Sequence, residues 1–254
     1  MSTLRAVIMD MDGVVVHGDR PVPGAREALQ RFQDRGLKIL ILTNNSIYTQ
    51  RDLSARLSFM GLPVAPDTIY TSALATARFL HTQMPAGKAY VVGEAGLTTA
   101  LHDIGYTLTE LEPDYVVIGE TTSYSFGRIT RAVRLVTAGA RFIATNPDPS
   151  GPSTDGMIPA TGAIAALISS ASGKLPYFVG KPNPLMLRSA LRQIDVHSEE
   201  AIMVGDRMDT DIVMGTESGM ETALVLTGVT SREDVDRWPY RPTRILESIA
   251  DLDV

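Results

Sequence analysis

Two aspartates, one residue apart, are the first groups in this chain whose types and spacing could do chemistry. Asp10-Met11-Asp12-Gly13 follows the short apolar run Ala6–Met9. In an extended segment residues i and i+2 face the same way, so both carboxylates should address one small volume. Like charges that close resist joint ionisation, so one keeps its proton or both take a cation. One carboxylate can then act as nucleophile or metal ligand and the other as general acid. Short acidic motifs are frequent as turn caps, so the pair gains weight only from its partners.

Three partners follow at the ends of other strand-like runs. Gly205-Asp206-Arg207-Met208-Asp209-Thr210-Asp211 closes the run Ala201–Val204. Mg2+ takes hard oxygen ligands, often one or two carboxylates plus water and substrate phosphate; Asp10, Asp206 and a backbone carbonyl near Asp12 would supply them. Helix capping accounts for Asp209 or Thr210 but poorly for Asp206 on a strand tip. Thr43 and Asn44 end the run Lys38–Thr43, where a hydroxyl and backbone N–H before a helix can hold phosphate oxygens. Lys181, between Gly180 and Pro182, is a cation for a phosphate or a carboxylate cluster; a solvated surface lysine is the equal alternative. An aspartate nucleophile, a metal, a hydroxyl and a lysine together describe phosphoryl transfer through an aspartyl-phosphate.

The elements that must position these groups alternate in the manner of a parallel α/β sheet. Strands are expected at Ala6–Asp10, Lys38–Thr43, Ala89–Val92, Tyr115–Ile118, Phe142–Ala144, Tyr177–Val179, Ala201–Val204 and Thr222–Leu226. Helices are expected at Gly24–Arg35, Gln50–Met60, Ala73–Gln83, Ser125–Ala138, Ile164–Ser170, Pro184–Gln193 and Thr210–Ser218. Pro/Gly breaks near 83–88 and 172–176 predict a doubly wound core split into 1–82 and 177–254, with a second α/β domain inserted at 83–176.

The 254 residues suffice for a core without disulfide or metal staples. Cysteine is absent, which excludes a disulfide framework, a thiolate zinc site and a cysteine nucleophile. With 29 acidic against 23 basic residues and a net charge of −6, no basic cluster offers a face for nucleic acid. The apolar runs are strand-sized, so neither a membrane span nor a signal segment is expected and a cytoplasmic location is the default. No G-x-G-x-x-G, P-loop or G-x-S-x-G supports a dinucleotide oxidoreductase, a nucleotide-triphosphate enzyme or a serine hydrolase.

The quartet DMDG, TNNS, GKP and GDRMDTD, in that order at strand ends, resembles the haloacid dehalogenase superfamily of phosphohydrolases. The likeness is greatest to its NagD-like branch, with an inserted second type of cap. It extends through YTSALATARFL, AYVVGEAGL, PDYVVIGETTSYSF, ARFIATNPD, YFVGKPNP and TALVLTGVTSREDVD, and so covers nearly the whole chain. The resemblance implies that Asp10 attacks phosphorus and that Asp12 protonates the leaving oxygen and then activates water. It implies that Thr43 and Asn44 bind the phosphoryl group and that Lys181 offsets its charge. Asp206 would ligate Mg2+ with Asp10 and the Asp12 carbonyl, Asp211 supporting. The inserted domain should hold specificity. Its polar loop Asn146–Pro152 nominates Asn146 and Asp148 for substrate binding, against a solvated loop as the alternative; Glu120 and Tyr124 rank below them. The stretch from Pro149 to Ile158 departs from the branch in looking longer, which detaches the substrate from a nucleotide in particular.

The implied activity is a Mg-dependent phosphomonoesterase acting on a small phosphorylated metabolite, a nucleoside monophosphate such as UMP or GMP or a sugar phosphate. A phosphotransferase or mutase using the same intermediate is one alternative, and a phosphometabolite-binding regulator without turnover is another. A homo-oligomer is left open.

Overall fold

The computed structural model describes residues 4–153 and 156–254. The chain forms two compact units: Met1–Thr43 with Arg51–Tyr70 and Lys181–Val254, and Asn44–Gln50 with Thr71–Gly180.

The first unit is built on a parallel six-stranded sheet. Its order is Arg244–Leu246, Glu221–Val225, Ala201–Gly205, Ala6–Met9, Lys38–Thr43, Ile69–Thr71. Ala6–Met9 is buried at every position and pairs in register with Ala201 to Val204 on one side and Lys38 to Ile41 on the other. A strand covered on both faces reads as continuous apolar sequence, which is why no polar residue appears until Asp10. The helix Ala25–Asp34 lays Ala25, Ala28, Leu29 and Phe32 against the sheet. It ends where Gly36 takes a φ of +73° that other residues adopt at a cost.

The second unit carries its own parallel sheet, ordered Tyr177–Phe178, Arg141–Ala144, Tyr115–Ile118, Lys88–Val92, Thr107–Leu108. Its core includes Val92, Val116, Ile118, Ile129, Phe142, Ile164 and Ile168. A two-stranded antiparallel piece, Ser150–Ser153 with Gly156–Pro159, precedes the helix Thr161–Ser172. It occupies the stretch expected to be long, of which Thr154 and Asp155 lie outside the described residues.

The division falls elsewhere than at 83 and 176. Helix Ser72–Gln83 belongs to the second unit, where it packs on Ala95–Asp103. The Tyr106 hydroxyl donates to the carbonyls of Leu80 at 3.1 Å and Met84 at 2.7 Å. The Pro85/Gly87 break marks only a local turn. The unit to which a helix belongs is decided by the core that receives its apolar face, here Ala73, Ala75, Ala77 and Leu80.

Most expected elements are present within one or two residues of their bounds. Helix Ala95–Asp103 and strands Ile69–Thr71, Thr107–Leu108 and Arg244–Leu246 are additional. The helix expected at Thr210–Ser218 is two elements. A π-helical turn spans Met208–Ile212, in which the Ile212 N–H reaches back five residues to the Arg207 carbonyl at 3.2 Å, and an α-helix follows at Val213–Glu217. Among the described residues no helix is long and apolar enough to cross a membrane.

Candidate active site

In the first unit's sheet the connections run outward in both directions from the gap between Ala6–Met9 and Ala201–Gly205. Open parallel sheets bind ligands at such a switch point, beyond the carboxyl ends of the strands. Asp10 and Asp206 are the next residues after those two strands. Asp10 continues the ladder by donating its N–H to the Val204 carbonyl at 2.9 Å.

Four side chains meet there. Lys181 Nζ lies 2.7 Å from Asp10 Oδ1 and 2.8 Å from Asp211 Oδ1. Asp10 Oδ1 also accepts the Met11 N–H at 2.7 Å. Asp211 Oδ2 accepts the Arg207 N–H at 3.3 Å, a bond the π-helical turn makes possible by returning Asp211 under its own entry. Lys181 is 2% exposed and Asp211 fully buried, so the alternative of a solvated surface lysine is excluded.

Burial is the largest influence on Asp10, Asp206 and Lys181. It raises the Asp10 carboxyl well above its ordinary value, against Lys181, with Asp211 and Asp206 pushing the same way. Asp206 is raised to about 6 by burial and then by Asp211. Burial alone would lower Lys181, but Asp10 and Asp211 overcome it, so the ammonium holds its proton more tightly than in water. Three carboxylates against one ammonium leave a buried excess of negative charge.

Asp206 is held in an unusual way. Its Oδ2 accepts the Val229 N–H at 2.7 Å, while Oδ1 is buried with no hydrogen-bond partner. Glycines close on the Oδ2 side: a Cβ added at Gly13 or Gly228 would lie 2.6 Å or 2.0 Å from that oxygen. Asp10, Asp206 and Asp211 each offer a carboxylate oxygen within 4.8 Å of the others. An all-oxygen donor set with surplus negative charge and one orphaned oxygen suits a hard divalent cation.

Asp12 lies just beyond the strand end, on the turn that follows Asp10. The strand stops at Met9 and the chain turns at once, with Val15 and Val16 N–H groups returning to the Met11 carbonyl. The Asp12 residue reaches solvent. Its carboxyl is nonetheless raised, by the protein around it rather than by Asp10, against the opposing charges of Lys181, Arg56 and His17. Thr43 is buried at the end of Lys38–Thr43.

The other nominated residues gather in the second unit. Asp148 Oδ2 accepts the side-chain amides of Asn44 at 2.7 Å and Asn146 at 2.8 Å. Asn146 Oδ1 accepts the Thr145 hydroxyl at 2.8 Å. Asn146 is 2% exposed, so the loop expected to be either substrate-facing or solvated begins as a buried polar knot. Ser72 ties into it by donating to the Asn44 carbonyl at 2.7 Å. Glu120 donates its N–H to Ser46 Oγ at 2.8 Å, and Tyr124 is exposed.

Sequence reasoning did not single out Ser46, Ser72 or the segment Thr227–Thr230. Ser46 and Ser72 act through hydroxyls in a chain rich in Ser and Thr. The segment around Gly228 acts through a backbone amide and a missing side chain, so its place in the stretch TALVLTGVTSREDVD does not announce a role.

A family model described as haloacid dehalogenase-like hydrolase matches residues 7–107, and one described as HAD-hydrolase-like matches residues 178–252. The chain is 54% identical over 252 residues to dihydroxyacetone phosphatase of Corynebacterium glutamicum (strain R), covering 99% of this chain and 92% of that protein. It is 46% identical over 252 residues to the ribonucleotide monophosphatase NagD of Escherichia coli (strain K12), covering 99% of each. The NagD structure superposes with a TM-score of 0.94 over 99% of both chains. A glycerol phosphate phosphatase of Mycobacterium tuberculosis in complex with magnesium gives a TM-score of 0.92 at 30% identity, covering 97% of this chain and 75% of that one.

Proposed function

The chain belongs to the haloacid dehalogenase-like hydrolases, and on that premise we propose that it is a Mg2+-dependent phosphomonoesterase working through a phosphoryl group carried on Asp10. The observation that carries this reading is the grip on Asp10. Lys181 Nζ and the Met11 N–H both fall on Oδ1. The second oxygen is then the one left to form a bond to phosphorus.

Asp10 attacks phosphorus and the bond from phosphorus to the substrate oxygen breaks. Asp12 gives its proton to that oxygen, so the product leaves as an alcohol. A carboxyl raised above its ordinary value keeps more of that proton near neutral pH, as a general acid requires. The ionised Asp12 next takes a proton from water, whose oxygen attacks the phosphorus of the aspartyl-phosphate. Inorganic phosphate departs, Asp10 is restored, and Asp12 is again protonated. Lys181 balances the charge of Asp10 and of the incoming phosphate, and Thr43 with the adjoining Asn44 binds phosphoryl oxygens.

Asp10, Asp206 and the Asp12 carbonyl would hold Mg2+, with Asp211 behind them, and the fit rests on the orphaned Asp206 oxygen and the buried negative excess. When bound, the ion neutralises charge on the phosphoryl oxygens.

For the substrate we place a triose phosphate of the dihydroxyacetone phosphate kind first, because the relative named for that substrate shares 54% of its residues with this chain. Nucleoside monophosphates, on the strength of the 46% identical relative, come second. Asn146 and Asp148 are assigned to substrate selection together with Asn44. A phosphate-release screen over dihydroxyacetone phosphate, glycerol phosphate, UMP, GMP and hexose phosphates, with Mg2+ and with EDTA, tests the reading. Metal-dependent release, fastest on the triose phosphate, is expected. Release from none of these compounds, or release indifferent to EDTA, overturns it.

A further inference from the structure

The segment Thr227–Thr230 follows strand Glu221–Val225 and closes around Asp206. Each of its residues makes a separate contact. Thr227 Oγ1 donates to the Gly13 carbonyl at 2.5 Å. Gly228 lies so close to Asp206 that a Cβ there would sit 2.0 Å from Oδ2. Val229 donates its N–H to that same oxygen at 2.7 Å, while its side chain is exposed. Thr230 donates its N–H to the Asp206 carbonyl at 3.1 Å and accepts the Met208 N–H on Oγ1 at 3.3 Å. Tyr240 completes the hold on Met208 by donating its hydroxyl to the Met208 carbonyl at 2.9 Å.

These contacts share one geometric result. Gly13 follows Asp12, Met208 opens the turn that delivers Asp211, and Asp206 lies between them. Thr227–Thr230 touches the backbone of the first two and both ends of the third. A loop that merely closed the core would bury apolar side chains. This one turns Val229 outward and spends backbone amides, hydroxyls and a glycine on a carboxylate.

We propose that Thr227–Thr230 is a positioning strap that commits Oδ2 of Asp206 to the Val229 amide and so presents Oδ1 to the divalent cation. The proposal rests on the reading of Asp206 as a metal ligand. Groups that orient a ligating carboxylate govern metal affinity even though they never touch the metal.

The test is calorimetric titration of MgCl2 into the full-length, EDTA-stripped protein, with Gly228→Ala, Thr227→Val, Thr230→Val and Thr227→Ser beside the wild type. Gly228→Ala must displace the carboxylate and should weaken Mg2+ binding on the order of 10- to 100-fold. Each Val variant removes one hydroxyl without adding volume and should weaken binding less, and Thr227→Ser should restore it. At saturating Mg2+ the substrate KM should stay within about two-fold of wild type, since uniform substrate binding is untouched. Thr227→Val keeps the test informative if Gly228→Ala does not fold. Folded variants with lower thermal midpoints but wild-type Mg2+ affinity would reduce the strap to a structural loop and overturn the proposal. A wild type that binds no Mg2+ would overturn the metal reading beneath it as well, which separates the two failures.

Discussion

Replacing Lys181 with Met keeps most of the side-chain length and removes only the charge. The ammonium is 2% exposed and lies 2.7 Å from Asp10 and 2.8 Å from Asp211. Without it, Asp10, Asp206 and Asp211 face one another with no countercharge. Removing one partner of a buried ion pair costs about 3–5 kcal/mol, because the other charge stays desolvated. In a chain of this size each 1 kcal/mol moves the melting midpoint by about 2–4 °C. The metal-free variant should therefore melt about 6–20 °C lower than wild type. The sign with pH follows from the raised carboxyls. A carboxyl whose folded pKa exceeds its unfolded value stabilises the fold at low pH and loses that contribution as pH rises through the folded value, about 6 for Asp206. Lys181 lowers both Asp10 and Asp206, so its removal raises them further. The gap between variant and wild type should be small near pH 5 and widen toward pH 8. Circular-dichroism melts in EDTA across that range read it directly. A gap that is absent, or equal at both ends, would refute the argument that Lys181 is the countercharge of the cluster.

Three further outcomes follow from the same geometry. Asp10→Asn should leave the melting curve cooperative while lowering phosphate release by about a thousand-fold or more, as loss of a nucleophile does; a folded variant turning over normally would remove Asp10 from that role. Asp12→Asn should cost about 100- to 10,000-fold on an alkyl phosphate and much less on p-nitrophenyl phosphate, whose leaving group needs no proton; equal losses on both would argue against Asp12 as the acid. Mg2+ affinity should fall as pH drops through about 6, where the ion must displace a proton from Asp206, and level off above it. Calorimetry at pH 5, 6 and 7.5 measures this, and a flat profile would mean that Asp206 is not a ligand.

Much of the site is legible because its residues sit where a parallel sheet gathers them. Asp10, Thr43 and Asp206 each end a run of apolar residues, and the runs Lys38–Thr43 and Tyr115–Ile118 fall at their expected bounds. A strand buried on both faces admits few polar residues, so the first polar residue after it marks the sheet's edge. Lys181 was harder to read. A Gly-Lys-Pro turn looks alike on the surface or in the core, and only Asp10 and Asp211 arriving from distant elements make a buried ammonium tenable. Asp12 is legible from its spacing to Asp10, but the surroundings that raise its carboxyl are not, because they come from other parts of the chain.

The sequence by itself determined the chemistry available and the alternation that delivers it. Aspartates, a lysine and a hydroxyl lie in short contiguous motifs, and periodicity is a local property. Tertiary structure alone decided how those groups are tuned and held. It put helix Ser72–Gln83 with the second unit, drew Asn44, Asn146 and Asp148 into one hydrogen-bonded knot, and wrapped Thr227–Thr230 around Asp206. Such contacts join residues far apart in the chain through backbone amides and glycine, which carry no side-chain signature. Their burial raises a pKa and leaves an oxygen unpaired, and neither can be read until the chain has closed on itself.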